Sequence, residues 1–370
     1  MLDFALRTAR KAHLFLTRLR SLTSVRHPRT DRILPMTLPV PSRSRSVRAL
    51  GLLSGGLDSA LAAALLLEQG LEVVGLHLES PVSCRSDARE VARDLGIPLE
   101  VRSKGEEYLR LLRAPRWGYG RNLNPCVDCR VFMLRRARAY LAEAGADFLF
   151  TGEVLGQRPM SQLSDKLRLI DRHSGAEGLV LRPLSARLLP ETEPERRGWV
   201  DRSRLLAISG RSRHAQLAEA ARLGLKRYQS PAGGCLLTDP IFSRKLRDLF
   251  EHAADSGVEP ADVELLSVGR HFRVGPRHKV VLGRDAAENA TLARLQGAQR
   301  RLVEPDGFSG PSALVCGPWD EASLGQAVRL IARYARASEP HHHVRWRSGD
   351  GVRVQRVDSF AAPSAVPAAL

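Results

Sequence analysis

Six residues, Ser54-Gly55-Gly56-Leu57-Asp58-Ser59, follow an apolar run at Arg48 to Leu53 and open a stretch of helical spacing from Leu57 to Gln69. Two glycines let a backbone turn sharply and come close to an anion. The hydroxyls of Ser54 and Ser59 add donors, and a helix start offers unpaired N–H groups with a favourable dipole. Such a turn suits a pyrophosphate. No lysine follows the glycines, which excludes the phosphate loop in which Lys reaches the terminal phosphates. A carboxylate at Asp58 would be repelled by a polyphosphate unless Mg²⁺ lay between them, so its expected task is to position metal or water.

The second cluster is sulfur. Cys126 and Cys129 form Cys-x-x-Cys in Asn124-Pro125-Cys126-Val127-Asp128-Cys129, and Cys235 ends Ser230-Pro231-Ala232-Gly233-Gly234-Cys235. A helix beginning near Val131 would place Cys129 at its N-terminus beside Arg130, which favours the thiolate. Zinc would want four ligands and no second Cys-x-x-Cys exists. Three thiolates at Cys126, Cys129 and Cys235 suit a [4Fe-4S] cluster with one open iron. Two other readings stay open: one of Cys129 and Cys235 carries a persulfide that the other resolves as a disulfide, or all three are core thiols. Cys84 and Cys316 read as structural.

The elements that must position these residues alternate. Strands are expected at 48–53, 71–78, 97–101 and 147–151, with helices at 57–69, 87–95, 106–113 and 131–144, a pattern that predicts an α/β domain with a parallel sheet wrapped by helices. A Pro/Glu/Arg loop at 190–197 and helices at 203–206, 213–223 and 240–252 complete it. Gly and Pro near Ser256 to Asp262 mark a boundary. Beyond it, strands at 263–268, 272–274, 280–282 and 313–316 and helices at 286–295 and 323–336 suggest a smaller α+β domain. The expected organisation is thus a basic disordered extension at 1–46, a nucleotide-binding domain at 47–255, an α+β domain at 256–355 and a frayed tail at 356–370.

The net charge is +17, carried by 57 lysines and arginines of which only six are lysine. Such a charge favours a polyanionic partner. Eleven of the basic residues lie before residue 51. That segment lacks the apolar core of a secretory signal, and an organellar presequence or an over-long start upstream of Met36 fits it better. No run approaches the roughly 20 apolar residues of a membrane span. Five cysteines among 370 residues do not make a disulfide framework, and a reducing, cytoplasmic setting is expected.

Ser54 to Ser59 matches in full the SGGxDS signature of the PP-loop ATP pyrophosphatase superfamily. The resemblance implies cleavage of ATP between the α- and β-phosphates, with AMP passed to a carbonyl oxygen. Thr151-Gly152-Glu153-Val154-Leu155-Gly156-Gln157, with Ser161-Gln162 behind it, resembles the TGExLGQ…SQ segment of 4-thiouridine synthases, and Leu181-Arg182-Pro183-Leu184 resembles their RPL turn. Asn124-Pro125 with Cys129 is similar to the cysteine segment of 2-thiouridine synthases. The three cysteines together resemble cluster-bearing archaeal and thermophile members. The chain therefore looks like a tRNA thiouridine synthase over Val47 to about Phe250. The resemblance implies ATP contacts at Ser54, Gly55, Gly56, Asp58, Ser59, Thr151, Gly152, Glu153 and Gln157, with Gly152 admitting the nucleotide closely. It further implies sulfur chemistry at Cys129 and Cys235, tRNA as partner, and sulfide or a persulfide carrier as donor. Departures exist: neither a tRNA-grasping N-terminal domain nor a rhodanese loop is visible. In their place, Val268 to Arg273 followed by Gly283 to Asn289 looks like an NFACT-type RNA-binding domain, with Arg270, Arg273 and Lys279, beside His271, Arg277 and His278, forming a basic face for phosphates. The histidines at 341–343 read as a surface run. The rival functions are sulfur transfer to a small metabolite, and a non-catalytic RNA-binding protein with a degenerate ATP site.

Overall fold

The computed structural model describes residues 46–80, 82, 88–228, 235–253, 257–335, 341–348, 351–358 and 367–370. The expected extension at 1–46 therefore lies, apart from Ser46, outside the described residues, as do Cys84 and the glycine turn before Cys235.

Alternating short strands and helices build the first sheet. Its elements are β1 (Arg48–Leu52), α1 (Leu57–Glu68), β2 (Glu72–Glu79), α2 (Ala88–Leu95), β3 (Leu99–Ser103), α3 (Gly105–Arg113), α4 (Cys126–Tyr140), β4 (Phe148–Thr151), α5 (Ser164–Ser174) and β5 (Val180–Leu181). The strands are parallel in the order β3-β2-β1-β4-β5. Side chains alternate across the sheet. Ala49, Val73, Phe148 and Phe150 face α1 and α2, whereas Leu50, Leu76, Leu78 and Leu149 face α4 and α5. α1 is apolar nearly all round because it lies between the sheet and its helical neighbours, including α7 (His214–Arg222), which follows the short α6 (Glu193–Arg196). Strand order reverses between β1 and β4. The loops leaving their carboxyl ends thus flank the crevice where open α/β sheets take ligands.

Three expectations change here. α4 begins at Cys126, five residues before the expected start, so both cysteines of the pair sit inside its first turn with Pro125 as the flanking cap. Residues 193–196 form a helical turn with a Thr192–Glu195 capping box where a loop was expected. Residues 164–174, given no element from sequence, form α5.

α8 (Pro240–Glu251) leads to α9 (Pro260–Leu265), which replaces the expected strand at 263–268. Pro260 at the first helical position and the Glu259–Asp262 capping box decide for helix over the β-branched letters. Then come β6 (Arg270–Gly275), β7 (His278–Leu282), α10 (Ala286–Arg294), β8 (Arg300–Asp306), β9 (Ala313–Cys316), α11 (Glu321–Tyr334), β10 (His341–Ser348) and β11 (Gly351–Asp358). The strands pair antiparallel in the order β11-β10-β8-β9-β7-β6. α11 covers one face through Val280, Leu282, Val303 and Val315, and α9 with α10 covers the other through Val281, Leu302 and Leu314. Of the tail expected at 356–370, residues 356–358 belong to β11, 359–366 lie outside the described residues, and at the terminus Ala369 bridges Phe272 while the Leu370 N–H donates to the His271 carbonyl at 2.9 Å.

Ser46 to Leu370 form one compact unit, and charged side chains fasten α8 to the second sheet. Asp248 of α8 accepts a two-pronged bond from Arg273 of β6, 2.9 and 2.6 Å, and lies 4.0 Å from the Lys279 ammonium of β7. Lys245, one turn earlier on α8, donates to the carbonyls of Leu266 and Gly269, both at 3.1 Å, and burial pulls its pKa down to about 8. Replacing Asp248 by Ala leaves two cations facing a buried vacancy. Asp248→Ala should lose roughly 3 kcal/mol in urea unfolding, and a loss below about 0.5 kcal/mol would show that this junction does not hold α8 to the second sheet.

Candidate active site

The turn after β1 is held by its own serines. Gly55 takes φ 78°, a left-handed conformation that glycine adopts freely. The Ser54 N–H donates to Ser59 Oγ (3.3 Å), the two hydroxyls lie 3.2 Å apart, and Ser59 Oγ donates to the Gly56 carbonyl at 2.9 Å. Ser54 itself is exposed and Ser59 buried. Of the two hydroxyls, the one open to an anion is therefore that of Ser54.

Asp58, in the first turn of α1, is the hinge of the site. Its Oδ2 accepts from Gln157 Nε2 at 2.8 Å and lies 3.8 Å from Arg213 Nη2, while its Oδ1 is buried with no hydrogen-bond partner. Gln216 of α7 donates in turn to Gln157 Oε1 at 3.2 Å. A lone carboxylate oxygen beside a phosphate turn fits Mg²⁺, which keeps one or two carboxylates and takes its other ligands from phosphate and water. Arg213 and Gln216 went unnoticed in the sequence. The segment before them is bound to the loop after β4, with the Gly210 N–H donating to the Leu155 carbonyl at 2.7 Å, and no local pattern signals such a contact.

The loop after β4 carries Thr151, Gly152, Glu153 and Gln157, and only Gln157 reaches the phosphate turn by its side chain. A Cβ on Gly152 would sit 2.4 Å from the carbonyl carbon and oxygen of Asp58 and 2.5 Å from the Ser59 nitrogen. The glycine thus admits the start of α1. Glu153, 2 % exposed, offers nothing to a ligand either. Its Oε2 accepts from Arg182 Nε at 3.0 Å and from Thr151 Oγ1 at 3.2 Å, and its Oε1 faces Arg130 Nε at 3.5 Å. Arg182 also grips Asp171 of α5 at 2.9 and 2.7 Å. Burial pushes the Glu153 carboxyl up, but Arg182 and Arg130 outweigh it and hold it below the ordinary glutamate value. Thr151 and Glu153 therefore position this loop from behind.

The same loop reaches the sulfur. Cys126 Sγ donates to Ser161 Oγ at 3.3 Å, and Arg130, the partner of Glu153, follows Cys129 directly on α4. Cys129 and Cys235 both pack on one apolar cluster that contains Tyr108, Leu123, Phe132 and Leu237. The Tyr108 hydroxyl lies 3.2 Å from Cys129 Sγ. Burial first, then Cys129, Cys235 and Cys126, push that phenol well above the ordinary tyrosine value. Cys129 thus faces a hydroxyl of the cluster on which Cys235 also packs, and Cys126 is tied to the loop after β4. Cys235 is brought in by bonds between its neighbours and the loop before α4: Leu123 N–H to the Leu237 carbonyl (3.2 Å) and Asn122 Nδ2 to the Thr238 carbonyl (2.7 Å). None of the four described cysteines is in a disulfide.

The thiols do not fit a resident metal centre. Among the described residues, no three His, Cys, Asp or Glu side chains are placed to hold a metal ion, and Cys126 and Cys129 already face hydroxyl partners. Cys316 is structural, as expected, its thiol pushed up to about 11 by burial. His343 is exposed on β10; the side chains of His341 and His342 lie outside the described residues.

The basic face expected at Arg270, Arg273 and Lys279 is corrected. Period-two spacing does put Arg273 and Lys279 on one face, where they pair across β6 and β7, but α8 covers that face. Both are turned to Asp248, and burial lowers the Lys279 pKa. His271 on the same side is fully buried against the carbonyls of Val268 (2.9 Å) and Leu265 (3.1 Å), and burial holds it neutral. Arg270, on the opposite face, stacks 4.9 Å over the Tyr334 ring. Of the other basic residues expected there, His278 Nε2 lies 2.7 Å from the Pro318 carbonyl.

Comparison with known proteins matches residues 45–187 to the family model of the thiamine biosynthesis protein (ThiI), and residues 269–362 to that of the NFACT protein RNA binding domain. The chain is 41% identical over 125 residues to the tRNA-specific 2-thiouridylase MnmA of Syntrophotalea carbinolica, covering 30% of this chain and 35% of that protein. It is 27% identical over 291 residues to the enzyme of the same name from Bradyrhizobium diazoefficiens, covering 72% and 70%. The chain thus spans about a third of the first of these relatives. A 4-thiouridine synthetase–RNA complex with bound ATP aligns at 22% identity and TM-score 0.29, covering 48% of this chain and 52% of that one.

Glu153→Gln should cost roughly 3 kcal/mol of stability at pH 7, because the buried Arg182 and the partly buried Arg130 lose their shared counter-charge. A carboxyl held low in the fold stabilises above its unfolded pKa near 4.5 and ceases to do so as pH falls through the folded value. The gap between wild type and variant in thermal melts should therefore be full at neutral pH and narrow below about 4.5. A constant gap down to pH 3 would refute this account.

Proposed function

We propose that this chain is an ATP-dependent tRNA sulfurtransferase that adenylates a uridine carbonyl oxygen and replaces it with sulfur. One observation carries the reading: the loop after β4 bonds to the phosphate turn through Gln157 and Asp58 and to the cysteine helix through Ser161 and Cys126. Phosphate chemistry and thiol chemistry therefore share one wall. The likeness of part of the first domain to tRNA-specific 2-thiouridylases and to the thiamine biosynthesis protein (ThiI) family model, and of the second to the NFACT protein RNA binding domain, supports the same reading.

In this mechanism the N–H groups around Gly55 and Gly56 and the Ser54 hydroxyl bind the departing pyrophosphate. Asp58 would hold Mg²⁺, which would supply charge neutralisation for the polyphosphate, and Arg213, 3.8 Å from Asp58, can turn to the phosphate oxygens. The uridine oxygen attacks the α-phosphorus and pyrophosphate leaves, giving an O-adenylated base. Sulfur then arrives as a persulfide on one of Cys129 and Cys235. Its terminal sulfur bonds to the base carbon and AMP departs with the C–O electron pair. The other thiolate attacks the inner sulfur, forming a Cys129–Cys235 disulfide and releasing the thiocarbonyl. A dithiol reductant restores both thiols. This path needs two thiols, which suits a set without a metal-holding group. A base must leave its stack to present the carbonyl.

With Arg273 and Lys279 committed to Asp248, the RNA phosphates are assigned to exposed arginines of the β10–β11 hairpin. Arg345 and Arg347 share one face and Arg353 lies on the other. Arg345 lies 3.6 Å from Glu304 and 3.8 Å from Asp306, pairs that a polyanion can displace. Binding by such contacts weakens steeply with salt.

Nucleoside mass spectrometry of tRNA from a complemented deletion strain tests the reaction. Cys129→Ala and Cys235→Ala should each abolish one thiouridine, and Asp58→Ala should abolish both AMP release and thiolation. Iron and acid-labile sulfide in anaerobically purified protein, lost in each cysteine variant, would replace the two-thiol path with a cluster. AMP release that is indifferent to tRNA would favour a small-molecule substrate.

A further inference from the structure

We propose that Gln216 of α7 is a positioning residue for the nucleotide step: it holds the Gln157 amide with its nitrogen toward Asp58, so that Asp58 is fixed through Oδ2 alone and keeps Oδ1 for Mg²⁺. The proposal rests on the nucleotide chemistry proposed above and adds to it a residue that lies outside both motifs.

A glutamine amide has a donor end and an acceptor end, and either can turn toward a neighbour. At Gln157 that choice decides the state of the site. A carboxylate only accepts, so the 2.8 Å contact with Asp58 Oδ2 needs the Gln157 nitrogen. The Gln157 oxygen then points the other way and needs a donor, which Gln216 Nε2 supplies at 3.2 Å. The three side chains form a line with one direction, from Gln216 through Gln157 to Asp58. Turning the middle amide round would set acceptor against acceptor at Asp58. Gln216 is fully buried, and its own Oε1 is left with no hydrogen-bond partner. A side chain needed only for packing would not carry that cost. Its place is set by the backbone, since the segment before α7 is bonded to two neighbouring loops: the Ile208 N–H donates to the Leu184 carbonyl at 2.8 Å and the Gly210 N–H to the Leu155 carbonyl at 2.7 Å. Arg213, just ahead of α7, lies 3.8 Å from the same oxygen that Gln157 holds. The hydrogen bond and the ion pair of Asp58 thus both fall on Oδ2, and Oδ1 is the oxygen that stays without a partner.

Gln216→Met keeps the length of the side chain and removes the donor. The measurement is the affinity of the full-length protein for α,β-methylene-ATP, which cannot be cleaved between its α- and β-phosphates. It is taken by calorimetry in Mg²⁺ and again in EDTA, without RNA. In the wild type Mg²⁺ should tighten binding. In Gln216→Met that gain should shrink about ten-fold, the order that one hydrogen bond to a charged group is worth, while the affinity in EDTA stays the same. Adding Gln216→Met to Gln157→Met should shrink the gain no further, because the effect passes through Gln157. An unaltered gain in Gln216→Met, an equal loss in Mg²⁺ and in EDTA, or additive losses in the double variant would each overturn the proposal. Partial unfolding lowers the number of sites and leaves their affinity, so a variant that melts earlier still gives the reading. Wild-type binding indifferent to Mg²⁺ would overturn the metal assignment and this proposal with it. A gain lost as expected, in a protein whose deletion leaves every thiouridine in place, would sink the sulfur-transfer reading alone.

Discussion

The site depends on a carboxylate that no solvent reaches. Glu153 sits between two guanidiniums from different elements, Arg182 after β5 and Arg130 on α4, with Asp171 completing the row on the far side of Arg182. A buried charge is costly unless paired and hydrogen-bonded, so this row permits few arrangements of the elements that supply it. One consequence is local: the loop from Thr151 to Gln162 has one path. Another is longer-ranged. Arg130 follows Cys129 on the same helix, so the ion pair that orders the loop also fixes where the thiols lie relative to the phosphate turn.

That arrangement explains which site residues were legible in the sequence. The phosphate turn was, because its letters are dictated by local geometry: a left-handed Gly55, hydroxyls that close the turn, and a helix beginning at Leu57. The thiols were legible as a set, since their flanking Asn-Pro and Gly-Gly letters describe turns. Roles within the β4 loop were not. Motif letters show that Gly152 and Glu153 matter, yet not that one admits the start of α1 and the other is spent on Arg182. Of the residues expected at the nucleotide, Gln157 is joined to Asp58 across 99 residues of sequence.

The second domain shows the same limit from the other side. Alternation correctly put Arg273 and Lys279 on a common face, and charge suggested that solvent and RNA lay beyond it. What lies beyond it is α8, whose Asp248 takes up both charges. Periodicity reports which residues share a face, while the occupant of that face comes from elsewhere in the chain. The helix α9 makes a related point: valine and leucine letters favoured a strand, but a proline and a reciprocal cap at its start outweighed them. The sheet nevertheless formed as expected wherever turns and β-branched runs agreed, at β6, β7 and β9.

Under the proposed reaction, three equivalent thiols would compete for one sulfur atom and for one another. Distinct partners solve it. Ser161 accepts from Cys126 and belongs to the loop that senses Asp58, so this thiol is tied to the nucleotide edge. Cys129 is aimed by a ring locked into an apolar cluster, and Cys235 rides on a separate turn bonded to the loop before α4. Cys126 and Cys129 belong to one helix, whereas Cys235 is carried by a separate segment. The helix that carries the pair is in turn held through the contact of its Arg130 with Glu153.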